Sequence, residues 1–177
     1  TDADVRLRYR LDGVLVDVRN SYRKAIEETA NWYLKEEGFG KLVGQKEVST
    51  IKSIVGFNND WDATFAIVKA GGRLEKIVAS KSISFEEKKG ELYAKLKEKF
   101  QSIYLNGLIQ EEPALASKDI FEKLLASGKK IGIVTGRPRA EAEFSLKNNS
   151  WKRFFKKEGI VSLDDCDEEK PSPKPLL

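Results

Sequence analysis

Two short stretches carry the residue types that could do chemistry: Arg10-Leu11-Asp12-Gly13-Val14-Leu15-Val16-Asp17 and Ile131-Gly132-Ile133-Val134-Thr135-Gly136-Arg137-Pro138. Each is an apolar, strand-like run that breaks into a polar turn containing glycine. Residues i and i+2 at a strand end project to the same side, so Arg10 and Asp12 flank one small space. Asp12 supplies a carboxylate able to carry a proton, whereas Arg10 has no nucleophilic lone pair and instead offers a fork of N–H donors suited to a phosphate. Thr135 ends an apolar run and precedes Gly136, so its hydroxyl and the next backbone N–H can bind phosphate oxygens near the helix that Pro138 opens. Taken alone, a plain strand-to-helix turn explains Thr135 equally well. Lys170, in Lys170-Pro171-Ser172-Pro173, reads by itself as a solvated lysine before a proline turn. Asp17 reads either as a turn carboxylate bonding nearby backbone or, equally well, as a simple carboxylate ahead of a helix.

Histidine is absent from the 177 residues, which excludes Ser-His-Asp and Cys-His catalysis and histidine-ligated zinc. Any reaction must run on carboxylates, hydroxyls, lysine, arginine or a hard cation. Thirty-two basic against 28 acidic residues leave a net charge of +4, and the two signs alternate along most of the chain. That is the pattern of a solvated surface, not of a nucleic-acid groove with interleaved aromatics. No stretch approaches the roughly 18 apolar residues of a membrane span, and no secretory signal pattern is present. With the lone Cys166 unable to form an internal disulfide, a cytoplasmic setting is expected.

The elements around the two stretches follow from periodicity. Val5, Leu7, Tyr9 and Leu11 alternate with Arg6, Arg8 and Arg10, the period of a strand with one wet face. A central parallel strand is apolar on both faces, so this first strand is expected to be edge-like or locally altered. From Asn20, a candidate N-cap, Tyr22, Ala25, Ile26, Thr29 and Tyr33 share a helical face. Further helices are expected over Gln45 to Val55, over Trp61 to Ala70 behind an Asn58-Asn59-Asp60 cap, and after the capping box Ser84-x-x-Glu87, with Leu92, Leu96, Phe100 and Ile103 as the buried stripe. After Pro113 the rhythm becomes α/β: a helix from Ser117 to Ser127, a buried strand from Lys130 to Thr135, a helix from Pro138 to about Asn148 and a strand from Ile160 to Leu163. Alternating strands and helices predict a parallel, doubly wound sheet with ligands at the carboxyl ends of its strands.

The pair of stretches, in this order and with helices between them, resembles the haloacid dehalogenase-like (HAD) hydrolases, in particular phosphatase-like proteins of subfamily IA with a helical C1-type cap. The first run resembles their nucleophile loop, Asp-x-Asp-Gly-Val-x-x-Asp, and the second their phosphate-binding threonine loop. Gly56-Phe57-Asn58-Asn59-Asp60-Trp61-Asp62 and Thr135-Gly136-Arg137-Pro138-Arg139 further resemble a subgroup with relatives linked to imidazoleglycerol-phosphate dehydratase and histidine biosynthesis. The resemblance implies an α/β fold with a Rossmann-like parallel-sheet core over residues 1–18 and 107–177 and an inserted α-helical cap over 19–106. It implies Mg²⁺-dependent hydrolysis of a small phosphorylated metabolite through an aspartyl-phosphate. Asp12 then acts as acid and base and lies at the metal, Thr135 and Lys170 hold the phosphoryl group, and Gly136, Arg137 and Asn58 contact substrate. The Asn58-Asn59-Asp60-Trp61 run is read either as a cap over a core tryptophan or as a loop closing over substrate.

Two departures stand out. Arg10 occupies the position of the attacking aspartate, and no Gly-Asp-x-x-x-Asp loop, the second acidic element of the metal site, occurs in the sequence. A guanidinium at position 10 could take the metal's place and bind phosphate bidentately. Three readings follow: a phosphohydrolase compromised at position 10, a phosphate-binding pseudoenzyme using Arg10, Thr135 and Lys170, or an interaction domain, which an exposed Trp32 or Trp61 would favour. Substrate identity and oligomeric state are not encoded in any motif.

Overall fold

The structure, a computed structural model, describes residues 6–165. Strand β1 (Arg6–Arg10) comes first and is followed by six helices. These are α1 (Ser21–Glu36), α2 (Gln45–Ser53), α3 (Asp60–Lys69), α4 (Leu74–Val78), α5 (Phe85–Lys89) and α6 (Glu91–Leu105). Then come α7 (Lys118–Ala126), β2 (Lys130–Val134), α8 (Arg139–Asn148) and β3 (Ile160–Val161). The chain divides into two compact units, one holding residues up to 18 and from 112 onward, the other residues 19–111.

In the first unit the three strands are parallel, in the order β1-β2-β3. Tyr9 pairs with Ile133 and Arg10 with Val134, while Ile133 and Val134 pair with Ile160 and Val161. Among the described residues β1 therefore stands at one end of the sheet, as its alternating sequence requires. Leu7 and Tyr9 are half-buried, and Arg8 and Arg10 are exposed. Ile131 through Val134 are all buried, as befits a strand covered on both faces. Gly132 is a packing requirement, since a Cβ there would lie 2.6 Å from the carbonyl oxygen of Gly159. The core gathers Leu11, Leu15, Val16, Ile131, Ile133, Ala142 and Leu146 with an aromatic group around Phe121. The Phe121 ring meets Trp151, Phe154 and Phe155 at centroid distances of 5.5, 5.5 and 5.2 Å. Such offset and edge-to-face pairs each add on the order of 1 kcal/mol beyond area burial.

The second unit is helical throughout its described elements. Helix α1 packs on α3 and α6, burying Ala25, Ile26, Thr29, Ala30 and Leu34 at helical spacing. Ser84 and Glu87 form the expected capping box, and Asn59 caps α3 by accepting from the N–H groups of Trp61 and Asp62. Three expectations need correction. Asn20 sits at the start of α1 in a helical backbone conformation and makes no side-chain cap. The buried stripe of α6 is Tyr93, Leu96, Phe100 and Tyr104, so its face is rotated from the Leu92–Ile103 line, because the tyrosine rings pack inward: Tyr104 stacks on Tyr22 at 4.5 Å and Tyr93 donates to the buried Asp62 at 2.5 Å. Trp61 is not a core residue. It is half-buried, with the Lys97 ammonium 4.0 Å above its ring.

Candidate active site

The first half of the site is the turn that follows β1. Leu11 anchors it in the core, and its carbonyl accepts from the N–H groups of both Leu15 and Val16. Gly13 takes φ +72°, a left-handed conformation that glycine adopts without strain, and donates to the Val16 carbonyl. The segment after the helical unit locks onto this turn, with Asp17 N–H donating to the Pro113 carbonyl and Leu115 N–H to that of Leu15. This pairing carries Glu112, the residue before Pro113, to the same end of the sheet, where it and Asp12 share Arg137.

The second half is the loop after β2. Thr135 N–H donates to the Val161 carbonyl and so extends the ladder by one bond. The Thr135 hydroxyl donates to Asp12 Oδ2 at 3.2 Å, joining residues 123 apart in sequence. Arg137 N–H donates back to the Thr135 hydroxyl at 3.1 Å, closing the loop over itself. Gly136 is exposed, a Cβ added to it would meet nothing within 4 Å, and no hydrogen bond engages its N–H among the described residues.

The Arg137 side chain turns inward and is only 1% exposed. Its Nε donates to Asp12 Oδ1 at 2.6 Å, Nη2 to Glu112 Oε2 at 2.8 Å and Nη1 to Ser145 Oγ, on α8, at 2.9 Å. One guanidinium thus lies between two carboxylates, Glu112 being 2% and Asp12 28% exposed at the side chain. Burying a guanidinium costs several kcal/mol unless its donors and its charge are matched, and the two acids and the serine supply that match.

Asp164 and Asp165 serve a structural purpose. Asp164 accepts the Arg139 N–H at the start of α8 at 2.6 Å. Asp165 accepts from an Arg139 Nη at 2.5 Å and from the N–H and hydroxyl of Ser162. The Arg139 guanidinium, followed by the Ser162 bonds, holds the Asp165 carboxyl down at about 2. The two acids tie the end of β3 to α8.

The structure therefore brings together Asp12, Thr135, Gly136 and Arg137, with Arg10 at the end of the neighbouring strand. Arg10 is exposed, and among the described residues no hydrogen bond or ion pair engages its side chain. Asn58 belongs to the other unit, where its carbonyl accepts from Lys52 Nζ at 2.6 Å. Lys170 and Cys166 lie outside the described residues. Sequence reasoning missed Glu112 and Ser145. The available signal was Arg137 itself: an arginine in a buried loop requires acidic partners, and Glu111-Glu112 precedes Pro113 where the α/β rhythm starts.

Among the described residues, the donors gathered here do not by themselves make a Mg²⁺ site. Asp12 brings a single partly exposed carboxylate held by a guanidinium and a hydroxyl, Arg10 adds a positive charge two residues away, and no group of three acidic or thiol side chains gathers among the described residues. No helix among those residues is long and apolar enough to cross a membrane.

Known proteins resemble this chain along most of its length. The chain is 30% identical over 173 residues to a protein of Phytophthora nicotianae called imidazoleglycerol-phosphate dehydratase, covering 94% of this chain and 34% of that protein. It is 24% identical over 168 residues to the pyrophosphatase PpaX of Bacillus mycoides, covering 95% of this chain and 64% of the relative. The chain thus spans about a third and just under two thirds of these two curated relatives. The structure of phosphatase Tt82 from Thermococcus thioreducens superimposes with a TM-score of 0.78 at 25% identity, over 97% of this chain and 77% of that one. A HAD hydrolase of family IA from Entamoeba histolytica shares the fold with a TM-score of 0.64 at 16% identity, over 97% and 66% of the two chains. The sequence pattern of the haloacid dehalogenase-like hydrolases matches residues 9–177, and the chain belongs to that family, with an α/β parallel-sheet core of the HAD type.

Proposed function

We propose that this site takes the phosphoryl group of a small phosphorylated metabolite and is a phosphohydrolase site whose turnover is held back at position 10. The observation that carries the reading is the meeting of Asp12 and Thr135 across 123 residues of sequence, at the carboxyl ends of adjacent parallel strands. The Thr135 hydroxyl and the unengaged Gly136 N–H serve as donors to phosphoryl oxygens, a preorganised arrangement of the kind that stabilises developing negative charge. Asp12, partly open to solvent, handles the proton of the leaving oxygen. Arg10 can bind a phosphoryl oxygen but cannot attack phosphorus, so no aspartyl-phosphate forms at that position. Within this reading Lys170 is a further phosphoryl contact, and the helical unit, with Asn58, is the cap that selects the substrate.

Phosphate release from phosphorylated metabolites and a chromogenic phosphomonoester, with Mg²⁺ and with chelator, tests this in the parent and in Arg10→Asp. Slow or undetectable release in the parent with chelator-sensitive recovery in the variant is the expected result. Silence in both removes the phosphohydrolase reading.

One observation favours a second reading, phosphate binding without turnover: the Arg10 guanidinium is exposed and available to an anion. There Arg10→Asp weakens binding of inorganic phosphate in the absence of Mg²⁺, and unchanged binding rejects the clamp. The partner-binding reading lacks its expected support, because Trp32 and Trp61 are half-buried, with lysine ammonium groups over their rings.

A further inference from the structure

We infer that Arg137 is a positioning residue: it sets the orientation of the Asp12 carboxylate rather than contacting the substrate. The inference rests on the acid/base assignment of Asp12 above and adds the part of the machinery that makes that assignment workable.

The argument begins with access. A guanidinium 1% exposed is sealed from a ligand, whereas Asp12, which it grips, is 28% exposed. Arg137 is itself held from several directions before it reaches Asp12. Glu112 fixes Nη2, Ser145 on α8 fixes Nη1, and its backbone is bound on both sides, the N–H to the Thr135 hydroxyl and the carbonyl by Leu163 N–H. The Nε–H of the same planar fork points at Asp12 Oδ1 at 2.6 Å. The Thr135 hydroxyl takes Oδ2, so the carboxylate is pinned at both oxygens. An ionised carboxylate has about four lone-pair positions, and two stay available for a substrate proton.

Stability alone is a weak reason for such an arrangement. Replacing a buried ion pair by apolar side chains of similar volume is often neutral or stabilising, so the arginine gives orientation at little or no gain in folding free energy. Glu112 extends the same chain of contacts. It is the first residue of its unit after the helical insertion, 2% exposed, and anchors Arg137 rather than facing the site. Lysine cannot substitute, because a single ammonium lacks the rigid plane that lets one side chain direct separate bonds to Asp12, Glu112 and Ser145.

The test uses the full chain carrying Arg10→Asp, with p-nitrophenyl phosphate as the probe. Arg137→Lys is expected to lower kcat by about 30- to 100-fold while KM changes less than about threefold, as for a misplaced acid/base group. Glu112→Gln is expected to give a smaller fall of the same kind and provides the readout if Arg137→Lys does not fold. A lowered Tm with kcat intact makes Arg137 purely structural, and a raised KM with kcat intact makes it a substrate contact; either overturns the inference. If the Arg10→Asp protein releases no phosphate, the phosphohydrolase reading fails separately, and NMR of the parent chain decides the positioning. A slowly exchanging Arg137 Nε–H resonance that is lost in Asp12→Ala upholds it. A resonance already averaged with solvent in the parent rejects it.

Discussion

Strands β1 and β2 lie side by side in register and carry opposite kinds of sequence. Residue for residue, Tyr9 faces Ile133 and Arg10 faces Val134, yet β2 is buried at four consecutive positions and β1 alternates between half-buried and exposed. Their ends differ in the same sense. The loop after β2 runs into a sealed network of Thr135, Arg137, Glu112 and Ser145, whereas the last residue of β1 is an exposed arginine without an ion partner among the described residues. On the proposed reading, one half of a phosphoryl-transfer site is built and supported, and the other carries an arginine where the mechanism calls for a nucleophile. The identity of residue 10 leaves the architecture untouched, because the strand ladder and the turn at Gly13 depend on backbone bonds that its side chain does not enter.

That contrast can be broken or sharpened by experiment. The largest expected effect is catalytic: Arg10→Asp supplies the attacking group that the proposed mechanism needs and should raise chelator-sensitive phosphate release by on the order of 10³-fold or more, read in a phosphate-release assay. An equal rate in both proteins would show that the two strand ends are equally defective. Next comes Ile133→Ala in the buried strand, expected to cost about 2–5 kcal/mol in urea denaturation, since a fully buried side chain leaves a cavity that its neighbours cannot fill. A loss under about 1 kcal/mol would mean that β2 is not the packed strand described above.

A smaller effect concerns the tie between β3 and α8. The folded-state carboxyl of Asp165 is held at about 2 by Arg139, below the ordinary aspartate value near 4. Its contribution to stability is therefore fully present above about pH 4 and is lost as pH falls through about 2. Asp165→Asn should make stability less sensitive to acid across that interval, measured by chemical denaturation at a series of pH values. An unchanged slope would dissociate the carboxylate from the fold. The smallest effect is expected at Arg10→Ala, within about 0.5 kcal/mol of the parent in the same denaturation experiment, because an exposed side chain without a partner among the described residues contributes little. A loss of several kcal/mol there would turn Arg10 into a structural residue and end the contrast.

Much of the organisation was legible because it depends on local rules. The period-two run from Val5 to Leu11, the capping box at Ser84 and Glu87, the asparagine cap before α3 and the buried run from Ile131 to Val134 each express a backbone preference readable within about ten residues. The errors came where distant partners decide. Asn20 has the side chain of a cap but no cap geometry. The stripe of α6 was misplaced because Tyr93 and Tyr104 count as amphipathic in a sequence pattern, and only Asp62 and Tyr22, supplied by other helices, turn them inward. Trp61 looked like core by composition, yet it packs under a lysine of α6.

By itself, then, the sequence determined the order of elements, the α/β class, the two loop motifs and the presence of arginine at position 10, since these depend on residue type and short-range spacing. Only the tertiary structure decided that Asp12, Thr135 and Arg137 converge, that Arg137 is buried between Asp12 and Glu112, and that Asp164 and Asp165 hold a helix end in place. The physical reason is that a buried charge is tolerated only where partners from several distant segments meet it, and no local pattern records which segments those will be.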